Sequence, residues 1–375
     1  MIRVVLAAGI YPPEIGGPAT YAKMLAEELP GHGISIAVLP FATVHSYPKV
    51  LRHLAYTWKL FRLTKQADIV YALDPVIVGL PAAIVAKLRR IKFMLRVGGD
   101  YAWEQGCVRF GVTQTLDDYT TGQSHRPLPV RVLASVQSWV ARQALVVVAP
   151  SNYLKRIIEQ WDVNPGAVGV IYSTLFPLTP TQTKAEARQS LSLASPVIVT
   201  AGRLVPWKGV DAVIDVVDNL RATHPDVTLV VVGDGPERPV LESQVAKKSL
   251  QPHVQFVGRQ DKTQLANLIK AADVFVLNTA YEGLSHQLLE VMQLEVPIVT
   301  TSVGGNPELL SNGVDALLVP FDNTYQLQQA CLRVLNHPEV ADGLVRFAKR
   351  RTEDFNQEKA IAEIVTLIQN VHEQA

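Results

Sequence analysis

The stretch VIVTAGRLVPWKGVDAVIDVV, residues 197–217, decides the fold. Its first residues are β-branched and apolar without alternation, which suits a strand buried on both faces. The chain then turns at Gly202, crosses a short loop carrying Arg203 and Lys208, and runs on into a helix. A strand of that kind followed by a helix is the repeating unit of a parallel sheet covered on both sides. Similar runs recur downstream: TLVVVG from Thr228, VQFVG from Val254, VFVLN from Val274, PIVTT from Pro297 and ALLV from Ala316. Six more lie upstream, beginning at Ile2, Ile34, Asp68, Lys92, Leu145 and Val168, again with helix-length spacers. Two doubly wound α/β domains are expected.

Ser173 to Pro196, with three prolines among many Ser and Thr, reads as the connection between them, and the boundary is placed near residue 178. The second domain is expected to span 179–352. The remainder, 353–375, carries Ile361, Ile364, Val365, Ile368 and Val371 at helical spacing and requires a partner surface. A length of 375 residues suits two cores, and 48% hydrophobic against 18% charged residues excludes a disordered chain. The longest nearly apolar run, Val76 to Ala86, is too short to cross a bilayer. The N-terminus reads as a first strand, with Tyr11, Pro12 and Pro13 where a leader would have its cleavage site. Cys107 and Cys331 form neither a CxxC nor a zinc-type spacing, so free thiols and a cytoplasmic location are expected.

Charge is divided unevenly. Residues 1–178 hold 18 Lys and Arg against 11 Asp and Glu, a balance of +7, and the remainder holds 17 against 23, or −6. A basic first half favours an anionic partner, a membrane surface or a phosphorylated substrate, over uniform nucleic-acid binding. The segment KVLRHLAYTWKLFRLTKQ from Lys49 interleaves five cations with Tyr56, Trp58 and Phe61, the composition of an interfacial helix, and Lys87, Arg89, Arg90 and Lys92 follow nearby. Peripheral attachment to the inner face of the cell membrane is the corresponding expectation.

Three constellations carry chemistry. Arg203 and Lys208, between a strand end and a helix start, suit a phosphate, combining fixed positive charge with free backbone donors. In NTAYEGLSHQLLEVM, residues 278–292, Glu282 occupies the loop and Glu290 the helix; a carboxylate there can accept two hydrogen bonds from a ribose diol, and the amides near Ser285 and His286 can meet phosphate. In PPEIGGPATYAKML, residues 12–25, Gly16 and Gly17 allow backbone to approach a phosphate or sugar. VVGDGPER, residues 231–238, fails as a dinucleotide fingerprint, because Arg238 stands where the third glycine belongs. No DxD pair, HExxH or histidine cluster suggests a metal site, and no cofactor is expected.

The strings GRLVPWKGVD, VVGDGPE, ADVFVLNTAYEGLSHQLLEVM and VPIVTTSVGGNPELL, in that order, resemble the C-terminal domain of the family-4 retaining glycosyltransferases, and Gly16-Gly17 matches the glycine pair of their N-terminal domain. The resemblance implies a GT-B fold: two Rossmann-like domains facing a cleft, the first holding the acceptor and the second a nucleotide-sugar. It also implies that the last helix returns to the first domain. Donor contacts would come from Gly16, Gly17, Gly202, Arg203, Lys208, Gly233, Arg259, Glu282, Gly283, Leu284, Ser285, His286 and Glu290. Of these, Arg203 and Lys208 would hold the diphosphate in place of a metal, Glu282 would touch the transferred sugar and Glu290 the ribose. The implied reaction is retaining transfer from a UDP- or GDP-sugar to a glycan or lipid-linked acceptor, with the leaving phosphate accepting the acceptor's proton.

The first domain departs from the family pattern. Gly98, in LRVGGDYAWEQ, stands where a histidine is common; Ser173-Thr174-Leu175-Phe176 replaces Asn-Gly-Val-Asp; and Tyr71 and Leu73 stand where paired histidines sometimes occur. Asp100, two residues beyond Gly98, is the candidate to take the histidine's catalytic place, its alternative being a helix cap. Rival functions are a nucleotide-sugar 2-epimerase of the same fold, which would form epimer without acceptor, and a binding protein that retains donor but turns nothing over.

Overall fold

The computed structural model describes residues 1–14, 16–49, 51–122, 126–193 and 195–374. The chain divides into two compact units, residues 1–173 with 357–375, and residues 174–356.

The first unit is built on six parallel strands: β1 (Ile2–Ala8), β2 (Ile34–Pro40), β3 (Ile69–Ala72), β4 (Lys92–Arg96), β5 (Val146–Ala149) and β6 (Val168–Val170), in the order β2-β1-β3-β4-β5-β6. All four residues of β3 are buried, as the lack of alternation in its sequence requires. The connections β2 to β3, β3 to β4 and β4 to β5 all advance in one direction across the sheet. Right-handed crossovers therefore place helices Arg52–Leu63, Gly79–Arg89 and Leu128–Gln143 on one face. The β1 to β2 step runs the other way and puts helix Gly17–Glu28 on the opposite face.

Helix Gln357–Glu373 belongs to this first unit and buries Ile361, Ile364, Val365, Ile368 and Val371. Each such side chain contributes about 1.5–3 kcal/mol when fully buried. Lys92 Nζ donates to the carbonyl of His372 at 2.6 Å, and Gln357 Nε2 donates to Glu28 Oε1 at 3.0 Å.

The second unit contains β7 (Val197–Ala201), β8 (Thr228–Val232), β9 (Val254–Gly258), β10 (Val274–Leu277), β11 (Ile298–Thr301) and β12 (Leu317–Val319), all parallel, in the order β12-β11-β10-β7-β8-β9. Its core joins Ile198, Leu229 and Val276 from the sheet to Val213, Val217 and Leu220 of helix Val210–Leu220 and Leu327 and Cys331 of helix Thr324–Asn336. The division after Ser173 falls before the expected residue 178, because the chain is already engaged with the second unit: Leu175 N donates to Phe355 O at 3.1 Å, and Phe176 stacks on His286 with ring centroids 5.5 Å apart. The return falls at Gln357, a few residues later than the expected 353.

Candidate functional site

In the second unit β7 and β10 are neighbours although β8, β9 and the helices around them lie between the two in sequence, and from that pair the strand order runs outward in opposite directions. At such a switch point the loops leaving the two strands part to opposite sides and open a crevice at their C-terminal ends, where doubly wound sheets bind ligands. The loop after β7 holds Gly202, Arg203 and Lys208; the loop after β10 holds Glu282 to Ser285.

The two loops are tied together. Asn278 Nδ2 donates to Gly209 O at 2.9 Å, Ala280 N to Trp207 O at 2.7 Å, and Thr279 Oγ1 to Trp207 O at 3.1 Å. Thr301 Oγ1 at the end of β11 donates to Thr279 O at 2.6 Å, fixing the loop from its other side. The outcome is an ion pair between Lys208 Nζ and Glu282 Oε1, both largely shielded from solvent. Arg203 is exposed at the same rim, and a small cavity beneath it is lined by Gly202, Arg203, Leu204, Lys208 and Leu277.

Flanking glycines hold this arrangement by close approach. A Cβ on Gly233, the residue after β8, would lie 1.9 Å from Gly202 O, and one on Gly304, whose φ is +59°, would lie 2.3 Å from Glu282 O. The loops after β8 and β11 thus press backbone against backbone on the two loops of the crevice, which any side chain would prevent. Arg238, which breaks the glycine pattern of the β8 loop, bonds Glu242 at 2.8 Å.

Helix His286–Gln293 starts at Ser285, whose Oγ accepts from Leu288 N at 3.3 Å. Gly283, Leu284 and Ser285 are buried beneath the loop. Glu290 sits one turn into the helix, where Gln287 Nε2 donates to its Oε2 at 3.3 Å. Burial pushes its carboxyl up to about 7, with the Lys262 ammonium pulling in the opposite direction. Lys262 Nζ also lies 5.9 Å from the ring of Phe176, which itself stacks on His286. Phe176 and Lys262 thus join His286 and Glu290 in a group that sequence reading assembled only in part. Its one visible sign was the aromatic at 176 in place of an acidic residue. Arg259 lies exposed just past β9, the edge strand, two strands from the crevice.

Gly16, Gly17 and Asp100 are in the first unit. Gly16, at φ +155°, is the N-cap of helix Gly17–Glu28 and accepts from Ala19 N at 3.0 Å. Asp100 is fully buried: its Oδ1 accepts from Trp103 N at 2.9 Å and from Gln137 Nε2 at 3.0 Å, capping helix Tyr101–Arg109. Burial raises its pKa above the usual carboxylate value. Oδ1 is thus engaged by the helix cap and by Gln137. A Cβ on Gly98 would have nothing within 4 Å, so the place of the missing histidine is open space. Among the described residues no group of three His, Cys, Asp or Glu is placed to hold a metal ion, and no helix is long and apolar enough to cross a membrane.

Known proteins resemble both units. The family described as glycosyl transferases group 1 matches residues 182–351, and the glycosyl transferase 4-like domain matches residues 16–173. The α-D-kanosaminyltransferase of Streptomyces kanamyceticus is 30% identical over 44% of this chain, a match that spans 43% of that protein's length. An uncharacterized glycosyltransferase of Methanocaldococcus jannaschii is 23% identical over 96% of both chains. Among solved structures, Anabaena HepE in complex with UDP and glucose superposes with a TM-score of 0.78 at 18% identity, covering 99% of this chain and 100% of that one. The fold is therefore GT-B, of Rossmann-like units. With both units matched by glycosyl transferase families and the crevice placed at the switch point, the chain belongs to the group 1, family-4-type glycosyltransferases.

Proposed function

We propose that the protein transfers a sugar, with retention of configuration, from a nucleotide-diphospho-sugar to a glycan or lipid-linked acceptor. The observation that carries this reading is the meeting of Lys208 with Glu282 at the β7/β10 switch point, with Arg203 on the same rim and Glu290 in the following helix. A metal-independent transferase needs fixed cations where diphosphate departs and carboxylates where sugar and ribose hydroxyls lie.

In this reading the bond between the anomeric carbon and the phosphate oxygen breaks, and its electron pair passes to the diphosphate. Arg203 and Lys208 stabilise the charge that develops there. The acceptor oxygen forms its bond to the anomeric carbon on the face the leaving group departs from, and its proton goes to the departing phosphate oxygen. Lys208 leaves Glu282 for the phosphate, freeing the carboxylate to accept from sugar hydroxyls. Glu290 accepts from the ribose diol. Asp100 serves its helix. UDP in the HepE structures makes a uridine donor the first to test.

A thermal-shift screen across nucleoside diphosphates and their sugar conjugates tests the reading. A ligand at about 100 times its dissociation constant stabilises by roughly 2.7 kcal/mol. Stabilisation by one nucleoside diphosphate and its sugar conjugate is expected; no response to any of them would overturn the donor site.

A further inference from the structure

Helices Arg52–Leu63, Gly79–Arg89 and Leu128–Gln143 lie side by side on one face of the first unit, the middle one packed against both others. Each turns an apolar pair at four-residue spacing to solvent: Leu54 and Trp58, Ile84 and Leu88, Leu128 and Val132. Side chains four apart share a helix face, so the pairs form three parallel stripes. Five of these six residues are more than half exposed. A groove between the second and third helices, lined by Leu80, Val136 and Trp139 among others, continues the apolar surface inward.

The charge on this face has one sign. The three helices hold seven Lys and Arg and no Asp or Glu. Among the described residues only Arg142 has an ion pair, with Asp162 at 3.8 Å. Four of the others meet backbone or rings: Arg52 donates to Tyr47 O at 2.9 Å, Lys59 Nζ donates to Thr43 O at 2.8 Å, Arg89 donates to Phe61 O at 2.7 Å and covers its ring, and Arg62 lies 4.8 Å above the ring of Trp58. Both acids between Leu29 and Gly99 are occupied, Asp68 with Arg3 and Asp74 with the amides of Val76 and Ile77. Lys92, which sequence reading grouped with these cations, instead holds the terminal helix.

We propose that this three-helix face docks on an anionic lipid bilayer, with the apolar stripes entering the headgroup boundary and the cations meeting lipid phosphates. Apolar stripes flanked by uncompensated cations, with Trp58 among them, are what an interfacial surface requires. A second copy of the chain is a poorer occupant, because a two-fold contact would set seven cations against the same seven. The inference deepens the proposed function by favouring a lipid-linked acceptor over a soluble glycan, but its own grounds are the charge and exposure of the first unit.

Flotation of the whole protein with vesicles of phosphatidylcholine alone, and with roughly a third phosphatidylglycerol, tests it. Wild-type protein is expected to float with the anionic vesicles only, and to be released in part as NaCl rises from about 0.1 to about 0.5 M. The combined surface variant Trp58→Ser, Leu88→Ser, Val132→Ser is expected to lose binding while retaining its melting temperature. Each of Arg62→Gln, Lys87→Gln and Arg131→Gln is expected to lower partitioning about fivefold. Val240→Ser with Tyr325→Ser, exposed residues of the second unit, is expected to change nothing. Absence of binding, binding untouched by the three-helix variants, or self-association through these residues without flotation would each overturn the proposal. Nucleoside diphosphate affinity, measured on the same proteins, reports separately on the donor site and is expected to remain at the wild-type value in every variant.

Discussion

Lys208 Nζ and Glu282 Oε1, 74 positions apart in sequence, form an ion pair at the C-terminal ends of two adjacent strands, β7 and β10. The carboxylate occupies the cation that a diphosphate would need, and its own charge repels that ligand. In the proposed reaction, binding of donor exchanges one partner of Lys208 for another.

Glu282→Gln should accordingly bind the bare nucleoside diphosphate more tightly than wild type, by about fivefold, the effect of relieving roughly 1 kcal/mol of competition. Its transfer rate should fall, since the sugar loses a carboxylate contact. Calorimetric titration measures the first and initial-rate kinetics the second; unchanged or weakened diphosphate binding would contradict the exchange.

In the proposed donor site Glu290 introduces a pH dependence. Burial raises its carboxyl to about 7, above the usual carboxylate range, so the group is protonated at lower pH and ionises as pH passes through 7. In the proposed function it is the ionised form that accepts both ribose hydrogen bonds. Affinity for the nucleoside diphosphate should rise roughly tenfold between about pH 6 and pH 8. Glu290→Gln should show a smaller rise, from ligand titration alone, and weaker binding at the upper end. Parallel pH profiles for the two proteins would remove Glu290 from the ribose.

Asp100 yields a stability prediction. Its folded-state pKa is raised by burial, so the ionised group opposes folding: stability is greatest below the unfolded carboxylate pKa and declines as pH climbs through the folded value. Asp100→Asn, which retains an oxygen for the Trp103 amide, should flatten that decline and leave transfer within about twofold of wild type. Asp100→Ala removes the cap and strands Gln137, and should destabilise by about 1–3 kcal/mol. A large loss of transfer in the Asn variant at unchanged stability would assign Asp100 a catalytic role.

All twelve strands were legible in the sequence, because parallel strands buried on both faces leave continuous apolar runs and their helical spacers set the period. Arg203, Lys208, Glu282 and Glu290 were legible as charges at strand and helix ends. Their pairing was not, since it depends on β10 lying beside β7 rather than β9, which is a matter of sheet topology. Gly233 entered only as a donor contact implied by the resemblance, whereas in the structure it lets neighbouring loops touch, as does Gly304, which sequence reading did not single out. Asp100 shows the same limit: an Asp after Gly-Gly has one sequence signature whether it points outward or, as here, into the unit toward Trp103 and Gln137.

The central claim is that fixed cations at the switch point stabilise the departing diphosphate, and Lys208→Ala tests it most directly. Turnover and donor affinity should be measured on the same preparation, with the nucleotide-sugar identified by screening. An interaction that strengthens as charge develops contributes more to the transition state than to binding. Turnover is predicted to fall by roughly a hundredfold or more, with a loss of donor affinity under about tenfold. Weakened donor binding at undiminished turnover would contradict the account.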